Sequence, residues 1–575
     1  MTAMLRRTVL FLTTIAAGGL AGGCGTNGAD EVISPSTGDA RPNILLITAD
    51  DLGFSDVGAY GGEILTPNID RLADSGLMFT NFHTHTACSP TRSMLFSGAD
   101  SHQAGFGAMI GVEATAEQLA APGYERYLHP RVASLSELLQ DAGYHTVMAG
   151  KWHLGGLGGM GTGPHGRGFD RSFALLEGLA DHYRPLGVFP RPQPLLYRED
   201  GQEAALPEDF FSSRTFADRI IDFIASSPAD GRPFFAFLSF TAPHYPLQAS
   251  EDDIALYDGA YDRGYEAARA GRVQRQRDLG LVGEDWEIPP FHDFWPSWDE
   301  LTDDVRAQEV RRMQTYAAMV TAMDRNVGRV LDSLEVAGLL DNTVVFFMSD
   351  NGPDNSDPLG APGLHELFEA DFSFAPEDIG KPGSFTVYGP GWAQVSATPW
   401  RLTKHFMTRG GIVVPLIVHN PHRVTPGSRS DALVTVMDIL PTMLDLAETE
   451  HPGTRFRGRE VLPLLGKSLT PAFAAPDIAI HEPDYVFGLE IFDRRMVQKG
   501  DWKIHWANEP WGKGDWELYN LREDPTELID LSQREPEKLA EMLTEWSAYM
   551  DRIGVVLNEG FANPVGATLT HYTPL

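Results

Sequence analysis

The sequence predicts an α/β protein: a large domain on a mostly parallel central sheet flanked by helices, then a smaller α+β domain with a short antiparallel sheet. Three observations predict it. Short, fully apolar runs recur between Asn43 and Val418, as in strands buried on both faces. Amphipathic stretches such as Val132–Ala142 and Met313–Ala337 lie between some of them, the alternation that packs helices on both faces of a sheet. Beyond residue 445 the runs give way to shorter, more polar segments.

The chain opens on an export leader. Arg6 and Arg7 precede an apolar run from Val9 to Leu20, and small residues follow, ending in LAGGCG. The run is too short to span a bilayer. AGGC resembles a lipobox, with Ala21 where leucine is usual, so residues 1–24 read as a lipoprotein leader and Cys24 as the lipidated residue. Any membrane contact would come through that anchor alone. Residues 25–40, rich in Gly, Ser, Thr and Asp, read as a tether. Export to the periplasm or the cell envelope follows as an expectation.

The large domain is expected over 41–445. Its strands are the runs Asn43–Thr48, Thr146–Ala149, Phe234–Phe240, Val344–Met348 and Val413–Val418, all read as parallel. The first is followed by Asp50-Asp51, the second by Lys151-Trp152-His153, the third by Pro243-His244 and the fourth by Asp350-Asn351. In open parallel sheets, ligands bind beyond the carboxyl ends of the strands. Any one of these residues reads equally well as a turn or cap; four strand ends carrying such groups together point to a site. Residues 250–310 form an irregular insert whose Trp286, Phe291, Phe294, Trp295 and Trp298 read as a satellite core rather than a lid. Within 446–575, DIAIHEP, RMVQKGDWKIHW and WELYNL read as short antiparallel strands and Pro536–Ile553 as a closing amphipathic helix.

The charge balance narrows the partners. Against 45 basic residues stand 79 acidic ones, a formal net charge of −34. Such a field repels nucleic acid and anionic membrane surfaces. An anionic substrate would have to be small and held by a few convergent basic groups.

There are two cysteines in the 575 residues. With Cys24 assigned to the leader, Cys88 stands alone, which excludes a disulfide framework and a cysteine-based zinc site. Cys88 precedes Ser89-Pro90, where Ser at the N-cap and Pro at the first position start a helix that stops near Gly98. Arg92 then falls in the first turn, able to fork two hydrogen bonds onto a tetrahedral oxyanion. A thiolate hydrolase would need a histidine base, and His83 and His85 keep that reading open. Asp50, Asp51, Asp350 and Asn351 are hard oxygen ligands suited to Ca²⁺ or Mg²⁺. A hard dication matches an oxygen nucleophile better than a thiolate.

Cys88-Ser89-Pro90-Thr91-Arg92 matches the Cys-x-Pro-x-Arg signature of the formylglycine-dependent sulfatases. PNILLITADDLGFSDVGAYGG, AGKWHLG, APHYPLQA, SDNG and YGPGWAQVSATPWRLTKHFMTRGGI also resemble that family's blocks, in its order. The resemblance runs from about Arg41 to the C-terminus and is nearest to the bacterial arylsulfatases of the alkaline phosphatase-like superfamily. It implies that a separate maturation enzyme oxidises Cys88 to formylglycine, whose hydrate is a geminal diol. One hydroxyl attacks sulfur; the second re-forms the aldehyde and expels sulfate by C–O cleavage. It implies further that Asp50, Asp51, Asp350 and Asn351, with residue 88, hold Ca²⁺ in preference to Mg²⁺. Arg92 would orient the diol, Lys151 and Lys404 would bind sulfate oxygens, His153 would assist breakdown of the diol and His244 would serve the leaving oxygen. The implied reaction is hydrolysis of a small, aryl-type sulfate monoester.

Two positions depart from the family pattern: Arg409 opens RGGIV where Glu-Gly-Gly-Ile-Arg is frequent, and Ser97 replaces a common threonine. Three other readings compete: a phosphonate or phosphate ester hydrolase of the same superfamily, an unmatured sulfatase-like binding protein, and a cysteine hydrolase with a free thiol.

Overall fold

The computed structural model describes residues 41–557 apart from 110–113, 158–160, 189–192, 196, 229, 293–294 and 358–363. The expected leader, tether and Cys24 lie outside the described residues, as does Phe294.

Ten segments form one sheet: Asn43–Ala49 (β1), Leu77–Phe79 (β2), His145–Lys151 (β3), Arg171–Leu175 (β4), Arg198–Glu199 (β5), Gln202–Glu203 (β6), Phe234–Ser239 (β7), Thr343–Ser349 (β8), Leu416–His419 (β9) and Ser428–Ser430 (β10). Their order is β10-β2-β9-β8-β1-β7-β3-β4-β5-β6. The centre, β8-β1-β7-β3-β4, is parallel. Every residue of β1, β3, β7 and β8 is buried, as the apolar runs require. Register matters more for function. Thr48 lies opposite Ser239 and Met348, and Ser239 opposite Gly150. The four central strands therefore end level with one another, and the next residues of each emerge at one edge.

Helices Cys88–Ser97 (α1), Leu135–Asp141 (α2), Ser212–Ala225 (α3), Gly264–Asp278 (α4) and Asp303–Val336 (α5) accompany this sheet. Helix α2 begins later than Val132 because the Glu137 carboxylate accepts the Ser134 N–H at 2.9 Å, closing its first turn there. Helix α5 begins ten residues before Met313. Thr302 caps it by accepting the Val305 N–H, and Asp303 and Asp304 favour its positive end. Its first turns are exposed or half-buried except at Glu309, so no apolar period marks them.

Two expected strands are corrected. The run Val413–Val418 yields β9, but antiparallel to both β8 and β2. The chain reaches it directly from a loop at the carboxyl edge, with no crossover helix to return it to the other end. DIAIHEP is not a strand: Ile478 is exposed, and His481 turns inward to bond Asp438 at 2.9 Å. The antiparallel sheet starts later, as Val486–Ile491 (β11), Arg494–Lys499 (β12), Trp502–Trp506 (β13) and Trp516–Asn520 (β14), paired in sequence order. Gly500, at φ 57°, supplies the left-handed residue of the turn between β12 and β13. Helix Pro536–Ile553 (α6) covers this sheet through Met542, Trp546 and Tyr549, packed on Val497, Ile504 and Leu518. In the insert, Trp298 joins the main core, while Trp295 clusters with Leu402, Phe406 and Trp511.

A buried ionic knot ties the segment after α1 to the second sheet and its covering helix. His102 lies 3.1 Å from Asp100 and 3.1 Å from Glu490 of β11, and Asp100 accepts the Tyr549 hydroxyl of α6 at 2.8 Å. Burial disfavours the imidazolium, but the bonds to Asp100 and Glu490 outweigh it and push His102 up to about 9. A folded-state pKa above the unfolded value of 6.5 gives stability that is complete below pH 6.5 and fades as pH rises through 9. His102→Gln strands two buried carboxylates and is expected to cost about 3 kcal/mol or more at neutral pH. In denaturant titrations the gap from wild type should narrow as pH rises through 9.

Candidate active site

The level strand ends build the site. Asp50 and Asp51 follow β1, Lys151 closes β3, His244 lies beyond β7, and Asp350 and Asn351 follow β8. All are buried, Lys151 and Asp50 completely. Lys151 Nζ donates to both Asp50 oxygens at 2.7 Å. Helix α1 points its first turn at this edge. It starts two residues earlier than expected, with Ala87 as extended N-cap and Cys88 as first helical residue. Gly98 ends it in the left-handed conformation, as the sequence suggested.

From this helix Arg92 reaches across the edge. Its Nε donates to Asp350 Oδ2 at 2.9 Å, and its Nη1 to the Lys151 carbonyl at 3.0 Å and Ser239 Oγ at 2.7 Å. Ser239 Oγ in turn donates to the Lys151 carbonyl at 2.7 Å. This close approach needs Gly150: a Cβ there would lie 1.7 Å from the Ser239 carbonyl oxygen, and its φ is +115°.

Lys404 arrives from the loop before β9. Its ammonium donates to Asp51 Oδ2 and Asp354 Oδ2, each at 2.8 Å, and lies 3.4 Å from His244 Nε2. The second sheet holds this loop. Arg494 Nη1 donates to the His405 carbonyl at 2.6 Å, Arg401 Nη2 lies 3.0 Å from His505 Nε2, and the Arg409 N–H donates to Glu527 at 2.8 Å. The unexpected Arg409 stacks its guanidinium 3.9 Å from the Trp400 ring centroid and donates to Asn81 Oδ1 at 3.1 Å. Asp51, His153 and His405 take positive φ values of 67°, 54° and 72°, strain that packing around them must overcome.

Charge in this water-poor site follows from burial first. Burial pushes Asp51 up to about 8 against the pull of Lys404, and Asp50 up to about 6 against Lys151. Asp350 also suffers burial, yet Arg92, Lys151 and Lys404 hold it below the usual carboxylate range. Burial and the surrounding cations keep His153 and His244 neutral, well below 6.5. His244 Nδ1 lies 2.8 Å from the Tyr245 carbonyl and so carries the proton. Its Nε2 faces both Asp51 Oδ2, at 3.2 Å, and the Lys404 ammonium, at 3.4 Å.

Burial likewise pushes the Cys88 thiol well above its ordinary range. The thiol lies 3.7 Å from Asp51 Oδ1. His83 bonds Asn81 at 2.9 Å, and His85 accepts the Thr86 N–H at 2.9 Å. The hydrogen bond of the Cys88 sulfur goes to Asp51 and not to a histidine, and with the thiol held protonated by burial this weakens the thiolate-hydrolase reading.

Donor atoms of Asp50, Asp51, Cys88 and His244 lie within 4.8 Å of one another. Asp350 joins them through the Asp51 N–H, at 3.2 Å, and Asn351 through its amide donating to Asp51 Oδ1 at 2.7 Å. Among the described residues, Asn351 Oδ1 is buried without a hydrogen-bond partner. Three carboxylates and an orphaned amide oxygen fit a hard cation. The sequence reading missed Asp354 and Ser239. Asp354 lies on the loop that leaves β8, and Ser239 is a lone hydroxyl in an apolar run; both positions at the carboxyl edge were visible signals.

Comparison with known proteins agrees with this arrangement. The family model described as Sulfatase matches residues 42–449, and that of the N-sulphoglucosamine sulphohydrolase C-terminal region matches 400–551. The chain is 44% identical over 528 residues to an uncharacterized sulfatase of Schizosaccharomyces pombe, covering 90% of this chain and 94% of that one. It is 35% identical to an arylsulfatase of Klebsiella aerogenes, covering 75% and 91%. The crystal structure of Ps i-CgsB in complex with k-i-k-neocarrahexaose shares the fold, with a TM-score of 0.63 at 24% identity over 88% of this chain and 92% of that one.

Proposed function

Since the chain belongs to the sulfatase family, whose members hydrolyse sulfate esters, we propose that it cleaves small, aryl-type sulfate monoesters with residue 88 as an oxygen nucleophile. One observation carries this reading: a thiol held protonated by burial sits where Arg92, Lys151 and Lys404 converge. As a thiol it is a poor nucleophile there. Oxidised by a maturation enzyme to formylglycine, and hydrated, it would offer a diol oxygen at the same place.

The cation set of Asp50, Asp51, Asp350, Asn351 and residue 88 is part of the proposal, with Ca²⁺ favoured by its all-oxygen character. Such an ion lowers the pKa of a bound oxygen and polarises sulfate. The chain's own groups explain why it is wanted. Arg92, Lys151 and Lys404 face four carboxylates, Asp50, Asp51, Asp350 and Asp354. A dication turns that deficit into a net positive site, able to hold a sulfate monoester despite the overall charge of −34.

Arg92 fixes residue 88 at the helix start, and Lys151 binds sulfate oxygens. Lys404 carries the proton nearest the leaving oxygen. His244, beside that ammonium and Asp51, would serve the leaving oxygen as acid or as electrostatic support, and Asp354 steadies Lys404 from the other side. His153 remains neutral and able to take a proton as the diol collapses. The leader reading adds the proposal that the enzyme acts outside the cytoplasm, anchored through Cys24.

Mass spectrometry of the peptide containing Cys88, from active protein, tests this directly. Replacement of the side-chain CH₂SH by an aldehyde is expected. Fully active protein with an intact thiol overturns the reading.

A further inference from the structure

The sulfate-binding groups lie deep, so the rest of a substrate must pass the residues around them that remain partly exposed. Two such residues adjoin the two catalytic histidines. His153 bears on Gly178, where a Cβ would lie 2.7 Å from its Cε1, and the next residue, Leu179, is half-buried. The His244 ring lies 4.3 Å, centroid to centroid, from the half-buried Tyr245.

Leu179 and Tyr245 belong to one apolar cluster. Both pack against a group formed by Val188, Phe368, Phe372, Phe385 and Val387, separate from the main core. Tyr245 meets Phe385 at 5.8 Å, edge to face. Phe374, also half-buried, packs on the same group. Of the cations beside it, Arg184 stacks 5.1 Å from Phe372 and is neutralised by Asp181 at 2.7 Å, and Arg312, next to Phe374 and Phe385, is neutralised by Glu309 at 2.9 Å. A hydrated, polyhydroxylated leaving group would gain little from such a wall. A flat apolar ring would be desolvated by it.

We propose that this cluster, entered through Leu179, Tyr245 and Phe374, is the leaving-group subsite and selects sulfate esters of flat apolar alcohols. The proposal rests on the sulfatase reading and deepens it by naming the residues that set substrate class. Tyr245 is here a specificity residue, touching the alcohol portion, while His244 beside it serves the leaving oxygen.

The test compares kcat/KM for nitrophenyl sulfate, a short alkyl sulfate and a monosulfated monosaccharide across wild type, Tyr245→Ser and Leu179→Asn. Inhibition by inorganic sulfate reports the deep site separately. Wild type should prefer the aryl ester. Either variant should lower its kcat/KM about 10-fold or more, mainly through KM, with the alkyl ester and sulfate inhibition nearly unchanged. Equal losses on all three esters mean that Tyr245 and Leu179 only support the histidines, and overturn the subsite. Wild-type preference for the sugar ester overturns it too. Cleavage of no sulfate ester by matured wild type overturns the sulfatase reading itself, a result distinct from either.

Discussion

Cys88→Ala is expected to lose turnover of nitrophenyl sulfate by about 10⁴-fold or more while keeping the fold. The side chain is small and buried at the first helical position, 3.7 Å from Asp51. Removing one sulfur there costs about 1 kcal/mol, well within what a protein of this size tolerates. The rate loss has another origin. Arg92, Lys151 and Lys404 remain, so sulfate still binds, but no atom is left to attack sulfur. Sulfate should therefore inhibit binding of substrate analogues as it does in wild type. Cys88→Ser sharpens the test. The serine hydroxyl can displace the alcohol from sulfur, but the resulting sulfate ester has no second hydroxyl through which to expel sulfate. The expected result is one equivalent of alcohol released, then arrest, with one sulfo group retained on the peptide. Wild-type turnover in Cys88→Ala removes the covalent mechanism.

The site was more legible than the sheet that carries it. Of the candidate groups, Asp50, Asp51, Lys151, His153, His244, Asp350 and Asn351 follow apolar runs, and a run fully buried on both faces can be recognised without knowing its neighbours. Direction and pairing are different. Val413–Val418 has the composition of a central strand, and nothing in those residues records that the loop before it returns along the same edge. The early turns of α5 were hard to see for the converse reason: they are exposed or half-buried, and the capping hydroxyl of Thr302 and the Asp303 and Asp304 behind it were the local marks. DIAIHEP misled because its apolar residues also suit a loop, one that buries the adjacent Ile480 and His481, the latter against Asp438. The clamp on Lys404 is the least readable part. It joins Arg401, His405 and Arg409 to Arg494, His505 and Glu527, residues about a hundred positions away, and only the fold brings them together.

Asp350→Ala should remove most of the bound cation together with most of the activity. Asp350 is the carboxylate best prepared for a metal, because Arg92, Lys151 and Lys404 keep it ionised in spite of burial. Asp51 and Asp50 are pushed up to about 8 and about 6 in the absence of a cation. Protons therefore compete for the site, and cation binding should weaken as pH falls from 8 toward 6, with proton release on binding. The substitution also leaves Arg92 without its 2.9 Å partner, so a loss of activity alone would be ambiguous. Asp354→Ala resolves this. Asp354 bonds Lys404 at 2.8 Å and lies outside the proposed ligand set. Its removal should lower kcat and leave the metal content near one equivalent. Elemental analysis after dialysis, with circular dichroism to confirm folding, separates the two. An unchanged metal content in folded Asp350→Ala takes Asp350 out of the ligand set. Equal metal loss in both variants would mean that the loop's overall charge, not four named oxygen donors, holds the ion.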